Sequence, residues 1–514
     1  MNRAVQRLAL VAVFCAAAAV AAACRPAPQV LVFSDLHFNP FSDPSLVGAL
    51  QGADVSGWRS IFAGSPQKPF SAYGSDTNYP LLESALAAMQ QAVPRPDLVL
   101  IAGDFMAHGF QSNFKKTAPD PSASALEVFT ARTNQFLARE LAAAFPEAQI
   151  LPALGNNDSG CGDYMSEPSS PFLRAFAEAW EPVVGRRGST PDFVATFSAA
   201  GHYTAMAPSL RARVVVLNNV YWSPRYSNTC GAPQADPGRD TLNWLNGVLA
   251  ESRSRGEQVW LLSHVPVGID VFATLRGSSV VTMLQPAYAA DLISSLRQFS
   301  ADVRYGIYGH THMMEFRVVA DASGAPRVGN QGIPAVSPIF GNNPAFVVLT
   351  LDARSRAITD YAVHTLTNLP AAGANAPGVW SKEYAFREAY GGDGVSAQTL
   401  AALHGTLNAD ANARANFTRF YDSGSGRAAP TTMTWRAIWW NRTPRRRGVH
   451  ALFRFPVKAR ESLSSSGRPR RDLPSLRRAA PQERHTSRHP RRCGCAAGRG
   501  RPHELLRHGA ERVG

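Results

Sequence analysis

Short polar clusters recur along this chain, each placed where an apolar run ends. In order they are Ser34-Asp35-Leu36-His37, Gly103-Asp104, Gly155-Asn156-Asn157-Asp158, Ser263-His264, and Gly309-His310 followed by Thr311-His312. Carboxylate, imidazole and amide oxygen together are the ligands that hard and borderline divalent cations prefer. Asp35, Asp104, Asn156, His264, His310 and His312, with His37 as a fourth imidazole, are enough to hold two such ions. A pair of cations brought close together can bind phosphoryl oxygens and acidify a water molecule.

The elements that must position these residues are the runs before them. Val30-Leu31-Val32-Phe33, Leu98-Val99-Leu100-Ile101, Ile150-Leu151 and Val259-Trp260-Leu261-Leu262 are short, continuously apolar segments. Such runs read as strands buried on both faces of a parallel sheet. In open α/β sheets ligands bind beyond the carboxyl ends of the strands. The clusters should therefore converge on one crevice.

These motifs resemble those of the calcineurin-like metallophosphoesterases, whose pattern is Asp-x-His, Gly-Asp, Gly-Asn-His, a lone His and Gly-His-x-His. Ser34 to Pro40, Tyr73-Gly74-Ser75-Asp76, Gly103 to His108 and Ser337 to Pro344 are similar to the acid sphingomyelinase-like branch. The resemblance spans roughly residues 29 to 435. It implies an α/β fold, a two-sheet β-sandwich flanked by helices, with a helical C-terminal cap. It implies that Asp35, His37 and His312 bind one metal, that Asn156, His264 and His310 bind the other, and that Asp104 bridges them. Zinc, iron and manganese all suit that set. It also implies that a hydroxide between the metals attacks phosphorus. His310 and His312 are two apart and would share a face on a strand. In the family they sit on a loop that divides them between the metals.

One departure matters. The family's Gly-Asn-His is Gly155-Asn156-Asn157 here, and a similar Gly-Asn-Asn-Asp occurs in endopolyphosphatase-like members. Asn157 can donate a hydrogen bond but cannot give up a proton. His108, four residues after Asp104, is then the remaining proton donor for a leaving alkoxide. Its alternative is to orient a metal ligand. Asp158 could orient Asn157 or His108. Tyr221, Trp222 and Tyr226 read either as core packing or as the lining of a substrate groove.

Length and charge bound the rest. The 514 residues carry a net charge of +14. Residues 441–514 alone contribute 20 Lys+Arg against 5 Asp+Glu, which leaves 32 basic and 33 acidic residues before them. A neutral body gives no reason to expect a nucleic-acid surface. The tail is Arg-rich and aperiodic after an abrupt break at Trp440. It reads as the product of a shifted reading frame in a GC-rich gene, or else as a basic arm for anionic lipid or nucleic acid.

At the other end, Arg3 and Arg7 precede an apolar run from Leu8 to Ala23. That is a secretory signal over residues 1–23 rather than a membrane span. Ala21-Ala22-Ala23-Cys24 resembles a lipoprotein cleavage box, so Cys24 is a candidate lipid anchor. Removing Cys15 and Cys24 and setting aside Cys493 and Cys495 leaves Cys161 and Cys230. In an exported protein these two are expected to pair.

Residues 29–370 should form the catalytic domain, 371–440 a helical region and 441–514 the tail. Asn39 to Asn78 reads as a substrate-facing loop. Helices are expected over 79–93, 123–144, 172–180, 240–254, 287–299 and 378–421. Phe316–Val319, Phe346–Leu351 and Ala357–His364 look like one closing antiparallel group. The expected substrate is a small-molecule or lipid phosphoester: a choline-phosphate lipid, a nucleotide-like ester or polyphosphate. A phosphomonoesterase of the same fold, a non-catalytic binding protein that retains the fold, and a tail-driven nucleic-acid binder are the competing readings.

Overall fold

The structure is a computed structural model; it describes residues 27–228, 230–231, 236–276, 280–373 and 376–428, with the backbone of 439–440. The signal segment, Cys24, and the tail with Cys493 and Cys495 lie outside the described residues. Among the described residues no helix is long and apolar enough to cross a membrane.

Two mixed sheets face each other. The first has six strands in the order β12-β11-β10-β1-β2-β3. Strands β1 (Gln29–Phe33), β2 (Leu98–Ile101) and β3 (Gln149–Pro152) run parallel. Strands β10 (Ala345–Leu351), β11 (Ile358–Leu366) and β12 (Trp380–Ala385) continue antiparallel from β1.

The second sheet is built around parallel β5 (Ala212–Val216), β6 (Gln258–Leu262), β7 (Val303–Tyr308) and β9 (Pro326–Gly332). Strand β4 (Tyr203–Ala207) pairs antiparallel with β5, and β8 (Glu315–Ala320) with β9. The two-residue strand β13 (Trp439–Trp440) lies beside β8.

Side-chain alternation decides the layers. From the second sheet, Val214, Val216, Trp260, Leu262 and Ile307 join the core shared with the first sheet. Their neighbours Val215, Leu217, Val259 and Leu261 point the other way. They pack with Leu242, Leu245 and Leu249 of helix Pro237–Ser254 and Leu292, Ile293 and Leu296 of helix Pro286–Gln298. A period-2 strand buried on both faces must read as an unbroken apolar run, as Val214–Val216 and Val259–Leu262 do.

Three expectations need correction. Segment 39–78 is more than a substrate-facing loop. It carries the helices Val47–Gly52 and Trp58–Ala63 and buries Phe41, Leu50, Trp58 and Phe62 in the main core. The expected closing group is divided, because β8 pairs with β9 in one sheet while β10 and β11 belong to the other. The C-terminal helices Phe386–Tyr390, Ala397–Ala409 and Ala411–Tyr421 are preceded by strand β12, which residues 378–421 had read as helix.

Cys161 and Cys230 form a disulfide with Cα atoms 5.8 Å apart, as expected. Their sequence separation of 69 implies about 4 kcal/mol from loop-closure entropy in the unfolded chain. Replacing both cysteines with serine should lower Tm by several degrees in a thermal melt. An unchanged Tm would show that the bridge restrains the unfolded chain little.

Candidate metal centre

Five parallel strands deliver the polar clusters. Asp35 and His37 follow β1, Asp104 follows β2, Asn156 follows β3, His264 follows β6, and His310 and His312 follow β7. Asp35, His37, Asp104, His310 and His312 all have left-handed backbone, with φ from 40° to 72°. Such a conformation is costly for residues with a Cβ and persists only where the surroundings fix it. Here the loops continue the sheet's hydrogen bonding: Asp35 N donates to Gly103 O at 2.9 Å, and His37 N to Asp104 O at 2.9 Å. Gly103 itself has φ of +89°, and a Cβ there would lie 2.7 Å from Gly155 N and 2.8 Å from His264 Nδ1. Only glycine lets β2 and β3 bring their loops this close.

The seven residues meet in one cluster, all of them buried except His310, which is half-buried. Asp35 Oδ1 lies 3.3 Å from His312 Nε2 and 3.7 Å from His37 Nε2. Asp104 Oδ2 lies between the halves, 3.4 Å from His37 Nε2 and 3.3 Å from His264 Nε2. Asn156 Oδ1 lies 3.0 Å from His264 Nε2 and 2.8 Å from His310 Nδ1. His310 and His312 sit on a loop, not a strand, and turn to opposite halves.

The tautomers show what this cluster is built for. His37 Nδ1 is 3.0 Å from Met106 O, and His264 Nδ1 is 2.7 Å from Ala102 O. A carbonyl only accepts, so both Nδ1 atoms carry hydrogen and the neutral rings present Nε2 lone pairs inward. His37 Nε2 then faces His312 Nε2 at 3.2 Å, and His264 Nε2 faces His310 Nδ1 at 3.3 Å. Lone pairs and carboxylate oxygens so arranged repel unless positive charge lies among them. The donor set therefore fits divalent cations.

Without a cation, protons take that role. Burial pushes His37 and His264 down. Asp104, followed by Asp35, outweighs it and holds them up at about 10 and about 9. Burial pushes His310 and His312 down to about 3. Burial also opposes ionisation of Asp35, but His312, His37 and His264 bring it down to about 2.

Neighbours of the cluster are assigned by their contacts. Asp158 orients neither Asn157 nor His108. Its carboxylate accepts from the backbone N–H groups of Asp104, Phe105, Met106 and Gly155, fastening the β2 and β3 loops together. Asn157 is buried and donates twice to Asp104, from its backbone N at 2.8 Å and its Nδ2 at 3.0 Å. His108 stacks on His37 with centroids 4.1 Å apart and keeps its side chain 34% exposed. Its Nδ1 is held 2.9 Å from Asp76 Oδ1. Asp76 was visible only as part of a motif segment, with nothing in the sequence to pair it with His108.

Phe340, 46% exposed, sets its ring edge-on to His312 and His108. The sequence offered no signal for it beyond the Ser337–Pro344 match. Tyr221 and Trp222 are buried in the second core, so packing is their role. Tyr226 is partly buried against them.

A family model described as calcineurin-like phosphoesterase matches residues 28–314. The chain is 28% identical to human acid sphingomyelinase-like phosphodiesterase 3b, over 69% of this chain and 74% of that protein. It is 25% identical to the human cyclic GMP-AMP phosphodiesterase SMPDL3A, over 74% and 79%. It is 25% identical to sphingomyelinase phosphodiesterase D of Dictyostelium discoideum, over 62% and 67%. Among solved structures it is similar to a dimetal phosphatase from Danio rerio, with 13% identity, a TM-score of 0.39, and coverage of 70% of this chain and 100% of that one.

Proposed function

The chain belongs to the calcineurin-like phosphoesterase family, and from that premise we propose that it is an exported phosphodiesterase working through two divalent cations. The observation that carries this reading is the inward convergence of imidazole lone pairs, carboxylates and an amide oxygen on one buried point. In this reading Asp35, His37 and His312 hold one cation, Asn156, His264 and His310 hold the other, and Asp104 spans both. Zinc, iron and manganese are compatible with that donor set. Bound there, the cations would supply the charge that draws phosphoryl oxygens and acidifies water.

The chain's own residues do the remaining work. Asn157 locks the Asp104 carboxylate with two hydrogen bonds, so that neither oxygen swings away from the cluster. His108 delivers a proton to the leaving oxygen. Asp76 accepts from its Nδ1–H, which leaves Nε2 as the atom that gives and retrieves the proton. The partial exposure of His108 places it where a leaving group can reach it. Phosphodiesters are favoured because relatives from two organisms are named phosphodiesterases. A sphingomyelin-like lipid and a nucleotide ester are both candidates, and a panel of diesters and matched monoesters tests the class. Faster turnover of the monoesters would reject it.

Export rests on the N-terminal segment and is supported by the Cys161–Cys230 disulfide, a bond suited to an oxidising compartment. Lipidation at Cys24 belongs to the same proposal. Mass spectrometry of the native N-terminus should find a start at or near Cys24. An intact Met1 on cytoplasmic protein would contradict it.

Cation binding should release protons. Each half contains one histidine held protonated at neutral pH, His37 in the first and His264 in the second. Both protons must leave before Nε2 can ligate. The carboxylates are already ionised and release none. Affinity should therefore rise between pH 6 and 8, by about tenfold per pH unit for each cation. Competition with a chromophoric chelator measures this, and a flat profile would contradict it.

A further inference from the structure

We infer that Asp163 and Tyr164 are positioning residues for Asn156 and His310, on a segment that the Cys161–Cys230 disulfide fastens in place. The inference rests on the two-cation reading above and goes beyond it. It says which half of the centre depends on which side chains.

The ligands are backed in two ways. His37 and His264 are oriented by backbone carbonyls of the sheet loops, Met106 O and Ala102 O. Asn156 and His310 are oriented by side chains of two adjacent residues. Asn156 Nδ2 donates to Asp163 Oδ1 at 2.7 Å. An ionised carboxylate only accepts, so it selects the NH₂ end of the amide and turns Oδ1 toward His264 and His310. Without Asp163 the amide is free to flip and present donors to the cation. Tyr164 Oη lies 3.2 Å from His310 Nε2. With the Nε2–H donated to that oxygen, Nδ1 carries the lone pair that faces Asn156 and the cluster.

The segment is held in several ways. Arg225 grips both residues: Nη2 is 3.1 Å from Asp163 Oδ2, and the guanidinium lies 4.3 Å over the Tyr164 ring. Ser227 N donates to Tyr164 O at 3.0 Å, and Tyr164 N to Asn156 O at 2.8 Å. Tyr164 has φ of 58°, a conformation that its surroundings must impose. The disulfide ties this segment to the one carrying Arg225 and Ser227, two residues before Asp163 and three after Ser227. The disulfide-bound segment thus sets two ligands of the second half, Asn156 and His310, whereas His264 of that half, like His37 of the first, is set by a sheet-loop carbonyl.

Zinc titration of the full chain tests this, with competition by a chromophoric chelator as readout. The native chain should bind two Zn²⁺. Asp163→Ala and Tyr164→Phe should leave one site at native affinity and weaken the other by ~10–100-fold, the usual range for outer-shell partners. Asp163→Asn keeps an acceptor oxygen and should lose less than Asp163→Ala. The double variant Cys161→Ser/Cys230→Ser should weaken the same site. Thermal melts establish that each variant is folded. Tyr164→Phe removes one oxygen atom and keeps the test usable if Asp163→Ala does not fold. Native affinity at both sites in Asp163→Ala and Tyr164→Phe would overturn the positioning role, as would equal weakening of both sites. Native affinity in the cysteine variant would overturn the fastening role. Failure of the native chain to bind two ions would instead overturn the two-cation reading itself.

Discussion

Asp104→Ala should abolish turnover, by more than ~10³-fold, and should cost both cations together. Asp104 Oδ2 lies within 3.4 Å of an imidazole from each half of the centre. Among the described residues no other carboxylate lies so near a ring from both; Asp35 approaches His264 only to 4.0 Å. Removal leaves four imidazoles, one carboxylate and one amide oxygen to share two dications. It also frees Asn157, whose N–H and Nδ2 both donate to Asp104. Loss of an outer-shell partner alone costs 10–100-fold at metal sites, and a shared ligand should cost more. Metal analysis and turnover on one preparation check this. A variant that hydrolyses phosphoesters at the native rate would end the account.

The second large effect depends on the leaving group. His108→Ala should slow an alkyl phosphodiester by ~10²–10⁴-fold, the usual scale for general acid–base catalysis. It should slow a nitrophenyl ester much less, because nitrophenolate leaves without a proton. Asp76→Asn should reproduce part of the effect, since Asp76 holds Nδ1 at 2.9 Å and fixes which nitrogen carries the mobile proton. Metal content should not change in either variant. Equal slowing of both substrates, or loss of metal, would make His108 a brace for His37, on which it stacks.

The sequence made some of this legible and hid the rest for physical reasons. Strands β1, β2, β3 and β6 are buried along nearly their whole length, so they appear as apolar runs, and the clusters after them mark the strand ends; in β7 Arg304, which is exposed, and Gly306 interrupt the run. Strand β9 stayed hidden because Pro326, Gly329, Asn330 and Gly332 read as turn residues. It is nonetheless a central strand, and Gly332 is needed because a Cβ there would lie 2.8 Å from Tyr308. Strand β12 is partly exposed, and its Ser, Lys and Glu break any apolar pattern. Strand β4 alternates between buried and half-buried positions over only five residues.

The centre divides the same way. The seven cluster residues come in motifs, each attached to a strand. Asp76, Asp163, Tyr164 and Phe340 lie in irregular segments, where no periodicity says what a side chain will face. Asp163 is the sharpest case. It is one acidic residue in a Gly- and Ser-rich stretch, and its contacts with Asn156 Nδ2 at 2.7 Å and Arg225 at 3.1 Å distinguish it. Asp158 is the opposite case. Its place beside Asn157 suggested a role in orienting side chains, whereas it serves four backbone N–H groups.

The most direct test is metal content measured against phosphodiesterase activity on the same purified chain. The account predicts close to two divalent ions per chain when metal is supplied. It predicts loss of phosphodiester hydrolysis on dialysis against a chelator, and recovery on adding back zinc, iron or manganese in proportion to occupancy. Full phosphodiester turnover by a chain stripped of metal would contradict the central claim.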